Sequence, residues 1–196
     1  MSKDSIIPFK RYEEIVSVSD FLSDEEIDDI HTYALTLPST DGVMIGPKGE
    51  PYSGEARESK VAWINPAPEI SWLFAKLGQV ISAANDDCFH LEILGTEPLQ
   101  YTTYYSPTGH YDSHKDARPH ATIVRKISFS IQLTDPETYV GGDVNIYNVN
   151  FKQPFTISKQ KGSITFFLSN ILHEITPITE GTRQSLVGWV SGPPLK

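Results

Sequence analysis

The sequence predicts a mainly β protein with supporting helices, and three observations carry that prediction. After Asn85 the chain breaks into short runs rich in β-branched and aromatic residues, parted by turn-forming stretches such as TDPETYVGGD and SKQKGS. No helical periodicity separates those runs, which argues for an antiparallel sandwich or barrel rather than alternating β and α units. Before Asn85, two segments instead repeat apolar residues at helical spacing. The expected layout of the 196 residues is a single domain, with helical support and a loop region over 1–85 and the β core over 86–194.

Taken in order, Ser23 with Glu26 three residues later forms a capping box, acids crowd the first turn, and Ile27, Ile30, Ala34 and Leu37 fall on one face. Pro38 ends that helix. Residues 39–55, STDGVMIGPKGEPYSGE, have many turn formers and little periodicity, so they are expected to form a long surface loop or a lid. A short strand is expected over Lys60–Ile64. An amphipathic helix follows over 68–85, with Ile70, Leu73, Phe74, Leu77, Val80, Ile81 and Ala84 along its buried side. The remaining expected strands are His90–Leu94, Leu99–Tyr105, Lys126–Leu133, Val144–Tyr147, Phe155–Ser158, Ser163–Leu168 and Ser185–Val190. In the third of these, Ile127, Phe129, Ile131 and Leu133 alternate with Ser128, Ser130 and Gln132. A strand with one apolar and one small polar face between apolar neighbours is expected to turn the polar face toward a cavity.

Bulk properties narrow the function. A net charge of −9 disfavours nonspecific binding to nucleic acid or anionic membrane, both of which depend on basic surface. Cys88 is the one cysteine and cannot form an internal disulfide, and the start MSKDSIIPFKRYEE lacks the apolar core of a signal peptide. No apolar run approaches the roughly 18–20 residues that span a bilayer. The expectation is a soluble, cytoplasmic protein.

The chemistry concentrates in two stretches, Tyr104–Asp116 (YYSPTGHYDSHKD) and His173–Ser185 (HEITPITEGTRQS). His114 and Asp116, two residues apart, project to one side of an extended backbone. With His173 they would give two imidazoles and one carboxylate, the facial set that holds non-heme Fe(II) while leaving positions open. His110 and Asp112 repeat the H-x-D pattern, and on a regular strand all four residues would share a face. The second pair is preferred because Ser106–Gly109 is turn-forming and leaves His110 near a flexible tip. His31 and His90 read as surface or structural residues, and His120, after Pro119, as a loop residue. Arg183 and Ser185, again two apart, could clamp a carboxylate: a guanidinium fork binds it bidentately and a hydroxyl adds a further hydrogen bond.

The segments LQYTTYYSPTGHYDSHKD, RKISFSIQLTDPETYVGGDVNIY and KGSITFFLSNILHEITPITEGTRQSLVGWVSGP resemble the iron(II)- and 2-oxoglutarate-dependent oxygenases, in particular the prolyl-4-hydroxylase-like branch and its bacterial and phage relatives. The similarity runs over roughly residues 57–194. It implies a double-stranded β-helix (jelly-roll, cupin-like) core, with Fe(II) on His114, Asp116 and His173. It also implies 2-oxoglutarate with its far carboxylate on Arg183 and Ser185, O₂ as oxidant and ascorbate as a candidate reductant. A tyrosine on the strand before the H-x-D joins that clamp in the family. Matching from Leu99 and Gln100 makes it Tyr104, and counting back from His114 favours Tyr105. The activity implied is hydroxylation of a C–H bond with release of succinate and CO₂. A prolyl residue of a protein or peptide is the leading substrate, beside small molecules. Asp116, in place of Gly or Ala, argues against a halogenase. The competing readings are a cupin-like metal enzyme that does not use 2-oxoglutarate and a noncatalytic β-helix binding module. Substrate contacts are expected on the 39–55 loop and the 106–112 tip.

Overall fold

The computed structural model describes residues 8–12, 14–45, 50–52, 54–117, 122–148 and 150–194. The first helix, α1 (Asp24–Leu35), begins as its sequence dictates: the Ser23 hydroxyl accepts from the Glu26 N–H, and the Glu26 carboxylate accepts from the Ser23 N–H. The second, α2 (Ser71–Ala84), is led in by a short 3₁₀ turn at Pro68–Ile70. Both helices lay their apolar stripes on one sheet. Ile27, Ile30, Leu73, Leu77 and Val80 pack with Phe129, Phe166, Leu186 and Val190, all fully buried or nearly so. Burying each such side chain stabilises the fold by about 1.5–3 kcal/mol before conformational entropy is subtracted.

The principal strands are β1 (Ile15–Val18), β2 (Lys60–Ile64), β3 (Leu99–Tyr105), β4 (His110–His114), β5 (Val124–Gln132), β6 (Val144–Tyr147), β7 (Phe155–Thr156), β8 (Ile164–Leu168), β9 (Leu172–Ile175) and β10 (Thr182–Gly192). A large sheet runs Lys10–Tyr12, β1, β8, β5, β10, β3, β2, Ser39–Asp41, with Gly95–Thr96 added beside β10. A smaller sheet runs β7, β6, β9, β4, Arg57–Glu58. Every pairing is antiparallel. A second apolar cluster, which includes Tyr104, Ile146, Phe167 and Ile175, joins the two sheets face to face. The result is the jelly-roll core that the resemblance implies, with helices backing its larger sheet.

The β5 alternation reads as expected. Ile127, Phe129 and Ile131 face the helices, while Ser128, Ser130 and Gln132 are buried on the opposite, inner face. Three expectations need correction. His90–Leu94 is not a strand: His90 adopts a left-handed backbone (φ 52°), and the Asn85 side chain bonds both the N–H and the carbonyl of Leu91, fixing a turn instead. Residues 39–55 are not an undivided loop, since Ser39–Asp41 pairs with β2 and Met44–Ile45 pairs with Pro51–Tyr52. Residues 46–49 and 53, and the expected loop histidine His120, lie outside the described residues. Phe155–Ser158 shortens to Phe155–Thr156. The N-terminal part also contributes strands at 10–12, 15–18 and 57–58 that the sequence reading does not anticipate.

Candidate active site

Strand pairing brings the two chemical stretches together. His114 ends β4 directly across from His173 in β9. Two residues on, the Asp116 and Ala117 N–H groups both donate to the Ser169 carbonyl, at 3.0 and 2.8 Å, which fixes the backbone that carries the carboxylate. Asp116 Oδ2 then lies 3.4 Å from His173 Nε2, and Oδ1 lies 3.6 Å from His114 Nε2. One ligand atom from each residue falls within 4.8 Å of the others.

The imidazoles are already in the tautomer a metal requires. His114 Nδ1 faces the Asp112 carbonyl at 2.7 Å and His173 Nδ1 faces the Ile171 carbonyl at 3.0 Å. A carbonyl only accepts, so each Nδ1 carries a proton, and each Nε2, turned toward Asp116, is the nitrogen left for a metal. Burial, reinforced by the His173 ring, pulls the His114 pKa down to about 4. Burial alone would raise Asp116. The His173 and His114 rings, the Ser128 hydroxyl and the Trp189 indole outweigh it and hold the carboxyl below its ordinary value. Ser128 Oγ donates to Asp116 Oδ2 at 2.7 Å, so at 2.9 Å it accepts from Ser169. The Trp189 N–H leans toward the same carboxylate but closes no hydrogen bond of normal geometry.

The competing H-x-D pair does not converge. Between Tyr111 and His114 the β4–β9 register gains one residue on the β4 side. This bulge puts Tyr111 and His114 on the same face and turns His110 and Asp112 the other way. The Asp112 side chain is 66% exposed, and both His110 ring nitrogens lie against backbone carbonyls, of Thr108 and Glu55. The equal-parity expectation for residues 110–116 fails for that reason. His31, expected to be a surface or structural residue, bonds the Tyr101 hydroxyl at 2.7 Å.

Deeper in the barrel Arg183 is 1% exposed, paired in register with Tyr104 across β10 and β3. Its Nη2 donates to Gln132 Oε1 at 2.8 Å and its Nη1 to Ser185 Oγ at 3.3 Å, while Nε has no partner. Among the described residues no carboxylate pairs with it. Tyr104 lies inside, its ring centroid 5.7 Å from the guanidinium carbon, whereas Tyr105 is 52% exposed. Burial raises the Tyr104 pKa against the pull of Arg57 and Arg183, so its hydroxyl stays protonated. Gly142, at φ +65°, makes room for this arrangement: a Cβ there would come within 2.8 Å of Arg183 Cδ. Thr102 Oγ1, on the inward face of β3 opposite Ser185, is a further buried polar atom without a partner.

These features fit the groups in question. Two imidazoles that direct Nε2 at one carboxylate form a donor set that suits Fe(II) with positions to spare. An isolated buried guanidinium, with neutral acceptors on two nitrogens and none on the third, is complete only with an anion beside it. The sequence reading missed Ser128 and Gln132 as individual partners, though it marked their face. Ser169, Tyr111 and Arg57 carry no recognisable pattern. A surface cleft of about 1020 Å³ is lined by residues such as Asp20, Glu26, Lys76 and Lys161 and shares none with this cluster. Donor chemistry, not volume, locates the site.

A jelly roll carrying a His-x-Asp…His cluster with a buried arginine behind it presents the donor set that suits non-heme iron. Residues 99–191 match the model of the 2OG-Fe(II) oxygenase superfamily. A PKHD-type hydroxylase of Synechococcus is 34% identical over 82 residues, covering 42% of this chain and 36% of that protein. Among solved structures, a prolyl-4-hydroxylase of Pseudomonas putida superposes with TM-score 0.70 at 18% identity, covering 93% of this chain and 94% of the other. The prolyl hydroxylase of Trichoplax adhaerens, in complex with a hypoxia inducible factor oxygen degradation domain peptide fragment, gives TM-score 0.74 at 18% identity, with 91% and 83% covered. Residues 99–191 thus resemble the 2OG-Fe(II) oxygenase superfamily, and the chain shares the fold of the solved prolyl hydroxylases. The matched stretch spans about a third of the length of the curated relatives. No helix among the described residues is long and apolar enough to cross a membrane.

Proposed function

We propose that this chain acts as one domain, an Fe(II)- and 2-oxoglutarate-dependent dioxygenase that hydroxylates a C–H bond of a protein or peptide, with a prolyl residue as the first substrate to try. His114, Asp116 and His173 hold the iron, and Arg183, Ser185 and Tyr104 hold the cosubstrate. The observation that carries this reading is a pairing: three ligand atoms gathered within 4.8 Å, and a buried guanidinium with no carboxylate paired to it among the described residues. The peptide held by the Trichoplax neighbour supports a peptide substrate.

In this reading each residue has a distinct task. Nδ1–H bonds to backbone carbonyls tether each imidazole and fix which nitrogen is left for the metal before it arrives. The Ser128 hydroxyl occupies one lone pair of Asp116 Oδ2 and fixes how the carboxylate is presented. Arg183 receives the distal carboxylate of 2-oxoglutarate, and Gln132 and Ser185 keep the guanidinium plane oriented. The protonated Tyr104 hydroxyl is free to donate to the same carboxylate. When bound, iron and 2-oxoglutarate supply the oxidation, in which O₂ is consumed, succinate and CO₂ leave, and one oxygen atom ends on the substrate. Of the three side chains His114 is the most exposed, so the cluster would be reached from its side.

The test is succinate formation from 2-oxoglutarate by purified protein with Fe(II), alone and across a panel of proline-containing peptides. Iron-dependent succinate release, raised by a peptide that gains one oxygen atom, is the expected result. No iron-dependent turnover, with or without peptides, would refute the proposal.

A further inference from the structure

The β4 bulge that separates the two H-x-D pairs also does something to Tyr111. Residues three apart on a regular strand point to opposite faces, but the extra residue between Tyr111 and His114 returns both to one face. The Tyr111 ring lies flat on the His114 imidazole, with centroids 3.6 Å apart and planes 17° apart. The Arg57 guanidinium carbon stands 4.5 Å from the Tyr111 centroid. One face of the tyrosine is filled by the imidazole at contact distance, which leaves the other face for the guanidinium. Arg57 is delivered there by pairing: it sits directly across from Tyr111 on the neighbouring strand, and the Ala56 carbonyl accepts from the Asp112 N–H at 2.8 Å. Its Nε donates to Ser59 Oγ at 2.9 Å, which aims the guanidinium plane.

We infer that Arg57 and Tyr111 are positioning residues for the metal centre: the guanidinium holds the Tyr111 ring, and the ring holds the His114 imidazole at the tilt its Nε2 needs. This rests on the proposed metal site. His114 is the most exposed of the three ligand side chains, at 19% against 8% for each of the others. It is therefore the one that packing alone restrains least. Its single hydrogen bond, through Nδ1, leaves the ring free to swing about that axis, and a stacked ring removes that freedom. A cation on the far face draws the tyrosine's π-density toward it and pins the ring in turn. Arg57 lines an open cleft of about 400 Å³ beside Asp41, Lys60 and Tyr105, so truncating it leaves no buried void.

The experiment is a double-mutant cycle read on metal binding without cosubstrate, using Mn(II) and Co(II) titrated into metal-free protein, with circular dichroism to verify folding of each variant. Tyr111→Leu is expected to weaken both metals about tenfold and to change the Co(II) absorption envelope, which reports ligand geometry. Tyr111→Phe keeps the ring and is expected to restore both. Arg57→Met is expected to weaken binding a few-fold alone and to add nothing in the Tyr111→Leu background, because it acts through the ring. Independent, additive losses, or unchanged affinity and spectrum in folded Tyr111→Leu, would overturn the inference while leaving the metal site standing. Should Tyr111→Leu or Arg57→Met fail to fold, the inference is rejected in favour of a structural role for the stack. A wild-type chain that binds neither metal would overturn both.

Discussion

Replacing Arg183 with Met separates a ligand-binding arginine from a structural one, because the two roles predict opposite signs. Arg183 is fully enclosed, donates to two neutral oxygens and has no acidic partner among the described residues. Without an anion, its buried charge is a net burden of several kcal/mol, offset only in part by the hydrogen bonds to Gln132 and Ser185, each worth roughly 1.5–3 kcal/mol. Met is of similar length and carries no charge. The metal-free, cosubstrate-free variant should therefore be as stable as wild type or more so, within about 1 kcal/mol on the losing side. Cosubstrate binding should suffer in the other direction. Losing one partner of a buried charged pair costs about 2–5 kcal/mol, or roughly 30-fold to several thousand-fold in 2-oxoglutarate affinity. At 100 times its dissociation constant the cosubstrate stabilises wild type by about 2.7 kcal/mol, and at the same concentration no more than about 0.9 kcal/mol of that should remain in the variant. Urea unfolding with and without Mn(II) plus 2-oxoglutarate measures both quantities. A variant several kcal/mol less stable when empty, yet still stabilised by 2-oxoglutarate like wild type, would refute the reasoning.

Three further outcomes follow from the same geometry. Ser128→Ala removes the donor to Asp116 Oδ2 and should lower metal affinity about 10- to 100-fold, as loss of an outer partner does elsewhere; isothermal titration with Mn(II) checks it. His173→Ala removes one of the three proposed ligands and should abolish iron-dependent succinate formation, and unchanged turnover would exclude His173 from the site. Metal-free protein should lose stability as pH falls from about 6.5 toward about 4. In that window the unfolded chain takes up a proton that burial and the His173 ring deny to folded His114. The loss by pH 4 is at most about 3 kcal/mol, measured by denaturant melts in chelator. It should disappear in His114→Gln, whereas an unchanged slope in that variant would place the titration elsewhere.

Much of this was legible because its causes are local. The capping box at Ser23 and Glu26, the helical stripe through Leu73, Leu77 and Val80, and the alternation in β5 each follow from side-chain periodicity over a few residues. The separation of Arg183 and Ser185 by two residues likewise anticipates that they share a face, and both prove buried on it. What the sequence hid depends on pairing across the chain. Parity along 110–116 could not distinguish the two H-x-D pairs, since one inserted residue opposite β9 reverses it and nothing in HYDSHKD announces a bulge. Tyr104 and Tyr105 are separated only by the register that sets Tyr104 against Arg183. Arg57, more than fifty residues before Tyr111, reaches it solely because the strands that carry them are neighbours. His90–Leu94 has strand-like composition, but a side-chain clamp from Asn85 overrides it.

The measurement closest to the centre of this account is a crystal structure of the protein grown without oxygen in Fe(II) and 2-oxoglutarate. It should place one iron against Nε2 of His114, Nε2 of His173 and a carboxylate oxygen of Asp116, with the far carboxylate of the cosubstrate on the Arg183 guanidinium. Iron bound instead by His110 and Asp112, or a dicarboxylate lodged away from Arg183, would contradict it.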